Sequence, residues 1–213
     1  MIAGEAALSN WDAGMDMYIY GKLGNLIMTK EGINVLMTNL TGKVPPILQR
    51  LDYIRFNGEA AGYLHDLTLT GLFYTGAGMV KTDVMMSIDE QSMSRTYSGS
   101  VASADLDLGK LLNQEKKFGK VDFNVELKGF NYKNRYPESY IKGIISSFEY
   151  SQYQYENIML DGVYKDGGFN GRLSMDDANG SVQIDGNFNV AKTIPYFNLN
   201  ASVKNLRPHV LHL

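Results

Sequence analysis

Few side chains in this sequence are suited to chemistry. The histidines are His65, His209 and His212, and cysteine is absent. Without a thiol there are no disulfides, thiolate metal sites or cysteine nucleophiles. His209 and His212 stand three apart, on one face of a helix but on opposite faces of a strand, and no third metal ligand lies close by in sequence. No Gly-x-Ser-x-Gly elbow, Gly-x-x-x-x-Gly-Lys-Ser/Thr loop or His-Glu-x-x-His helix occurs, which leaves the common hydrolase, nucleotide and metalloprotease signatures unmatched. Gly76-Ala-Gly78 has no helical pattern behind it and reads as a turn. Asp176-Asp-Ala-Asn-Gly180 offers the oxygen ligands that calcium takes. Its Asn-Gly pair also suits chain reversal between strands, and a turn is the reading adopted. A pair of carboxylates facing each other would allow glycoside hydrolysis, but in β proteins acids usually mark strand exteriors and turns. Asn39-Leu-Thr41, Asn179-Gly-Ser181 and Asn200-Ala-Ser202 match the glycosylation sequon, as chance allows in a chain rich in Asn, Ser and Thr. The expectation is a protein that is not an enzyme, with no cofactor and no metal.

Charge removes another class of function. The formal net charge is −3 and the pI about 5.6, so no overall positive field exists to attract a nucleic-acid backbone. Lys116-Lys117 and Lys133 with Arg135 are short, are flanked by acids, and read as solvated loops. No run of 18 apolar residues is present to span a bilayer as a helix. The N-terminal Met1-Ile-Ala-Gly-Glu-Ala-Ala lacks the basic and long apolar regions of a signal peptide. If the natural protein is exported, this sequence is expected to be an internal piece of it, as the apolar ending Arg207-Pro-His-Val-Leu-His-Leu213 also suggests.

What remains is pattern. Val121, Phe123, Val125 and Leu127 alternate with Asp122, Asn124, Glu126 and Lys128, as in a strand with one buried face. The same period recurs in Phe169, Gly171, Leu173 and Met175, in Val182, Ile184, Gly186 and Phe188, and in Phe197, Leu199, Ala201 and Val203. Turn signals at Asp166-Gly-Gly168, Asp176–Gly180 and Ala191-Lys-Thr193 make residues 139–203 an antiparallel meander. Earlier strands are expected at 15–21, 24–30, 33–39, 52–60, 63–74, 79–89 and 95–104. Only Val44–Leu51 and Asp105–Asn113 look helical, each short and each with a Pro or Asp at its start. Strands without intervening long helices argue against a parallel nucleotide-binding sheet. The reading is one continuous all-β segment over 1–213, with a sub-boundary near 105–118. A looser unit, aromatic-x-Gly, recurs at Phe56-Asn-Gly58, Tyr97-Ser-Gly99 and Phe169-Asn-Gly171.

The order of these features carries a resemblance. Leu67-Thr-Leu-Thr-Gly71 and Val80–Val84 lead to Tyr97-Ser-Gly-Ser-Val101 and the small element Asp105-Leu-Asp-Leu-Gly-Lys-Leu-Leu-Asn113. After Gly119–Gly129 come Tyr153–Gly162 and Phe169–Asp177. This series resembles a middle segment of the TamB proteins of Bacteroidetes-type bacteria, within the AsmA-like group. It covers roughly residues 50–213. The resemblance implies an elongated, strongly curved antiparallel sheet, a β-groove or taco, with one or two short helices. It also implies a periplasmic setting, with an inner-membrane anchor elsewhere in the longer protein.

Function follows the same route. The resemblance implies passage of phospholipid acyl chains between inner and outer membrane, contributing to outer-membrane biogenesis. The alternative is a scaffold segment assisting assembly of outer-membrane β-barrel proteins by pairing its own exposed strand edges with a partner β-protein; separately, the resemblance implies a barrel partner engaged through regions outside this segment. The candidate lipid-lining residues are Val121, Phe123, Val125, Leu127, Ile158, Leu160, Leu173, Met175, Val182, Ile184, Phe188, Phe197 and Leu199. Alternation alone leaves open whether these apolar faces form a trough or meet each other in a closed core.

Overall fold

A computed structural model describes residues 4–10, 14–89, 91–92, 94–131, 138–189 and 194–211. The alternating segments become the strands β1 (Gly4–Ser9), β2 (Tyr18–Thr29), β3 (Tyr53–Tyr63), β4 (Asp66–Thr75), β5 (Gly78–Asp89) and β6 (Ser94–Asp107). They continue as β7 (Phe118–Asn131), β8 (Glu138–Tyr150), β9 (Tyr153–Lys165), β10 (Gly168–Asp177), β11 (Gly180–Asn189) and β12 (Tyr196–Lys204). All 12 lie in one antiparallel sheet whose spatial order is the chain order, with β1 and β12 as free edges. The substantial strand–strand contacts are all between sequence neighbours, so the sheet does not fold back on itself as a sandwich. The all-β antiparallel sheet is what the alternation specified, and its open form is what the resemblance implies. A sheet this wide is not flat: neighbouring strands rotate by roughly 20–25°, and open sheets beyond about ten strands curl.

Turn chemistry agrees with the pattern at its clearest points. Asp166 and Gly167 take φ of 51° and 75°, the paired positive values that a two-residue hairpin turn requires. The Asp176–Gly180 signal splits into the end of β10, a turn at Ala178-Asn179 and the start of β11. Its Asp177 is committed to that turn, accepting from the Tyr153 hydroxyl, from Asn179 N at 2.8 Å and from Glu156 N at 3.2 Å. Ala191-Lys-Thr193, Lys133, Arg135 and His212 lie outside the described residues.

The helices depart from expectation. Among the described residues there are three α-helices, α1 (Lys30–Thr41), α2 (Pro46–Gln49) and α3 (Leu108–Leu112), and a 3-10 turn at Gly14–Asp16, where one or two short helices are expected. Residues 33–39, expected as a strand, are helical. Thr29 caps α1 by accepting from Gly32 N at 3.4 Å, and Gly42, with φ 74°, ends it by donating to Thr38 O. These caps prevail over the β-branched content of the segment, because they satisfy backbone groups that a helix end leaves open. Segments 15–21 and 24–30 are one strand, β2, bulged between Leu23 and Leu26. Within α3 Asp107 is the N-cap, its carboxylate accepting from Lys110 N at 2.8 Å.

All three helices sit at one end of the strands. Ile33 of α1 and Leu111 of α3 are 2% and 6% exposed, packed with Ile54, Leu106 and Val121 at that end. Next to them the turn after β12 returns Leu211, 0% exposed, onto Tyr155 and Met175. The Tyr155 hydroxyl donates to Leu211 O at 2.6 Å and holds the turn in place.

Candidate functional site

Register fixes which side chains share a face, because Cα partners in an antiparallel pair point the same way. Phe123, Ile145, Ile158, Met175, Val182 and Val203 form one row across β7–β12. The next row is Val125, Gly143, Leu160, Leu173, Ile184 and Ala201. The third is Leu127, Ile141, Gly162, Gly171, Gly186 and Leu199. The fourth, farthest from the helices, is Gly129, Ser139, Tyr164, Phe169, Phe188 and Phe197. All thirteen candidates named from the sequence fall on this one face, with Val121 one step nearer the helices, opposite Phe148 and Leu106.

Two of the thirteen do not line an open surface. Val121, at 3% exposure, is sealed beneath α3, and Met175, at 9%, is covered by Leu211. Phe123, Ile158 and Val182 border those clusters. The helices make their main contacts with β2, β3 and β7. Val125, Leu127, Leu160, Leu173, Ile184 and Phe188 are half-buried by neighbours on their own face. Phe197 and Leu199 are exposed on the edge strand.

The face extends through residues the sequence reading did not name. The four rows continue through β6, β5, β4 and β3, as Ser103–Val80–Phe73–Phe56 and Val101–Thr82–Gly71–Gly58, then as Gly99–Val84–Leu69–Ala60 and Tyr97–Met86–Leu67–Gly62. The signal was present in the alternation of Leu67, Leu69, Val84 and Met86, but which alternate set faces which way becomes visible only once pairing is known. The aromatic-x-Gly unit also acquires a meaning. A Cβ placed on Gly71 would stand 2.6 Å from the Phe56 ring, and one on Gly162 would stand 2.5 Å from that of Phe169. In each case the aromatic covers the glycine opposite the one two residues along its own strand.

The opposite face carries one ladder of polar side chains, with Met85, Ile144 and Met159 exposed beside it on the same face. Glu5, Lys22, Glu59, Thr70, Asp83, Ser100, Glu126, Lys142, Asp161, Arg172, Asp185 and Asn200 follow one another in a single row across all the strands. Lys142 pairs with Asp161 at 3.1 Å and Arg172 with Asp185 at 2.6 Å. A hydrogen bond from Tyr140, then the bond from Lys142, holds the Asp161 carboxyl below its ordinary value. Asp161 in turn raises Lys142. Hollows of ≈ 520 and ≈ 530 Å³ lie mainly against this face and share Glu126. Among the described residues no three His, Cys, Asp or Glu side chains converge as metal ligands. No helix among them is long and apolar enough to cross a membrane. His65 is occupied by Met15 O at 3.0 Å and Asp16 at 3.5 Å.

Comparison with protein-family models, with curated proteins and with solved structures finds no match to this chain.

Proposed function

We propose that this chain is a segment of a periplasmic protein, held at the inner membrane by regions elsewhere in the longer protein. Its apolar face shields lipid acyl chains and conducts them between inner and outer membrane, contributing to outer-membrane biogenesis. The observation that carries this reading is the run of four predominantly apolar rows across β3–β12, with no second sheet packed over them among the described residues. The resemblance to TamB proteins supplies the cargo and the compartment. Each acyl methylene withdrawn from water contributes about 0.8 kcal/mol, so partial cover by this face is enough to hold a chain that still slides. Binding of this kind uses no reacting group, and the reading is of a carrier surface and not an enzyme.

Because the chain has no cysteine, single cysteines carrying a photo-crosslinker report one site each. Placed at Leu127, Leu173 and Ile184 they are expected to capture lipid in an envelope extract, while Asn124 and Glu126 are not. Equal capture from both faces would sink the proposal.

One observation favours a second reading, a scaffold that pairs with a β-barrel protein during assembly. Every residue of the edge strand β12 is exposed, which leaves a row of unpaired backbone groups for strand addition. That reading expects Ala201→Pro to abolish partner binding while leaving lipid capture intact.

A further inference from the structure

The two ends of the apolar face differ. At the helix end it is sealed by Ile33, Leu111 and Leu211, none more than 6% exposed. At the other end it is open, with Met86 at 44%, Tyr164 at 41% and Phe197 at 59%. Beyond that open row, on β6, stands Arg95. It shares the apolar face with Tyr97, two residues along, and faces Ile88 and Asn131 on the neighbouring strands. Among the described, register-paired residues of this face only Arg95 and Asp177 are charged, and Asp177 is at the sealed end. Arg95 is exposed and has no ion-pair partner among the described residues. Beside it the Tyr97 ring crosses over Gly129, and its hydroxyl meets Ser139 Oγ, which belongs to a residue only 9% exposed.

A guanidinium with no ion-pair partner among the described residues, at the open end of an apolar surface, is complementary to an anion attached to a hydrocarbon chain. Guanidinium binds carboxylate and phosphate alike through forked, charge-assisted hydrogen bonds. Length agrees. From Phe188 to Val182 the face runs about 20 Å, at ~3.3 Å per residue, against about 15 Å for the hydrocarbon of one bilayer leaflet.

We propose that Arg95 is an anion site for an amphiphile whose acyl chain lies along the strands, its methyl end towards the helices. This rests on the acyl-binding reading above and adds to it a polarity, a headgroup anchor and a single side of entry.

Stearic acid, lysophosphatidic acid and octadecanol, titrated into the whole chain against a fluorescent fatty-acid probe, test the site. Arg95→Gln is expected to weaken stearic acid or lysophosphatidic acid about tenfold and to leave octadecanol unchanged. Arg95→Lys, which keeps the charge and loses the fork, is expected to weaken the anions less than Arg95→Gln, and circular dichroism reports that both variants are folded. Loss confined to stearic acid marks a carboxylate site, loss confined to lysophosphatidic acid marks a phosphate site, and loss of both marks a shared anion site. Equal loss for octadecanol, or no loss for either anion, overturns the assignment while the acyl reading stands. Failure of all three to bind the wild-type chain removes both.

Discussion

Phe56 lies across Gly71 of the neighbouring strand, so closely that a Cβ on that glycine would stand 2.6 Å from the ring and 2.6 Å from the Asn57 carbonyl oxygen. The ring covers backbone that would otherwise be bare, and the missing side chain makes room for the ring. Since one of the two obstacles is backbone, a methyl group cannot be accommodated by turning a side chain. Gly71→Ala is expected to cost about 2–3 kcal/mol in urea unfolding. Gly76→Ala is the control: its nearest neighbours are the movable ends of Lys110 and Asp52. A cost there as large as at Gly71 would show that the ring and the carbonyl do not set the effect, since chain entropy alone favours alanine.

The turn after β12 is held by the bond from Tyr155 to Leu211 O, by a backbone bond from Arg207 N to Asn179 O at 2.9 Å and by the fully buried Leu211 side chain. Tyr155→Phe, which removes the bond to Leu211 O, is expected to cost about 1 kcal/mol. Leu211→Ala is expected to cost about 2–4 kcal/mol if the turn stays docked. If instead it undocks, amide exchange at residues 206–211 accelerates and Met175 becomes available to an apolar dye. Unchanged exchange together with unchanged stability would mean that the packing around Leu211 contributes nothing.

Acid should act on the polar ladder. The pKa of Asp161 is depressed by Tyr140 and Lys142, below the unfolded value near 3.9. Its contribution to stability is therefore complete above about pH 4 and disappears as pH falls through the lower native value. Asp161→Asn removes that contribution at neutral pH and is expected to flatten the acid limb of the stability curve. Lys142→Glu sets three acids side by side in the ladder, Glu126, the new carboxylate and Asp161. Its loss of stability should shrink as salt rises towards about 1 M. A loss that ignores salt would point to packing and not charge.

The exposed edge predicts association. Phe197 is 59% and Val203 52% exposed on β12, and unpaired strand edges with apolar side chains invite pairing. The isolated chain is expected to show concentration-dependent light scattering that Phe197→Lys with Val203→Lys reduces. Scattering unchanged by the pair of substitutions would place the association elsewhere.

Legibility in the sequence tracked the range of the interaction involved. Strands such as Val121–Leu127 were readable because alternation is a local consequence of one buried face. The turn at Asp166-Gly167 was readable because positive φ selects its residues. Helix α1 was hidden: Ile33, Val35 and Met37 alternate like a strand, while the deciding features, the Thr29 cap and the Gly42 stop, are single residues. The face itself was identified in part. All thirteen chosen side chains do share it, but nothing local distinguishes Leu127, which stays half open, from Val121, which α3 seals. That distinction depends on where a helix about ten residues away comes to rest. Arg95 escaped notice for the same reason, since its place on the apolar face is a matter of pairing and not of its neighbours in sequence.

Chain order and sheet order coincide across all the strands. Each hairpin therefore borrows its register only from the hairpins beside it, and two strands inserted or removed together restore both the direction of the chain and the assignment of its faces. In such a sheet, width can change by whole hairpins without a new fold having to be found. The span of apolar surface then becomes a dimension that descent can lengthen or shorten in steps of about 10 Å.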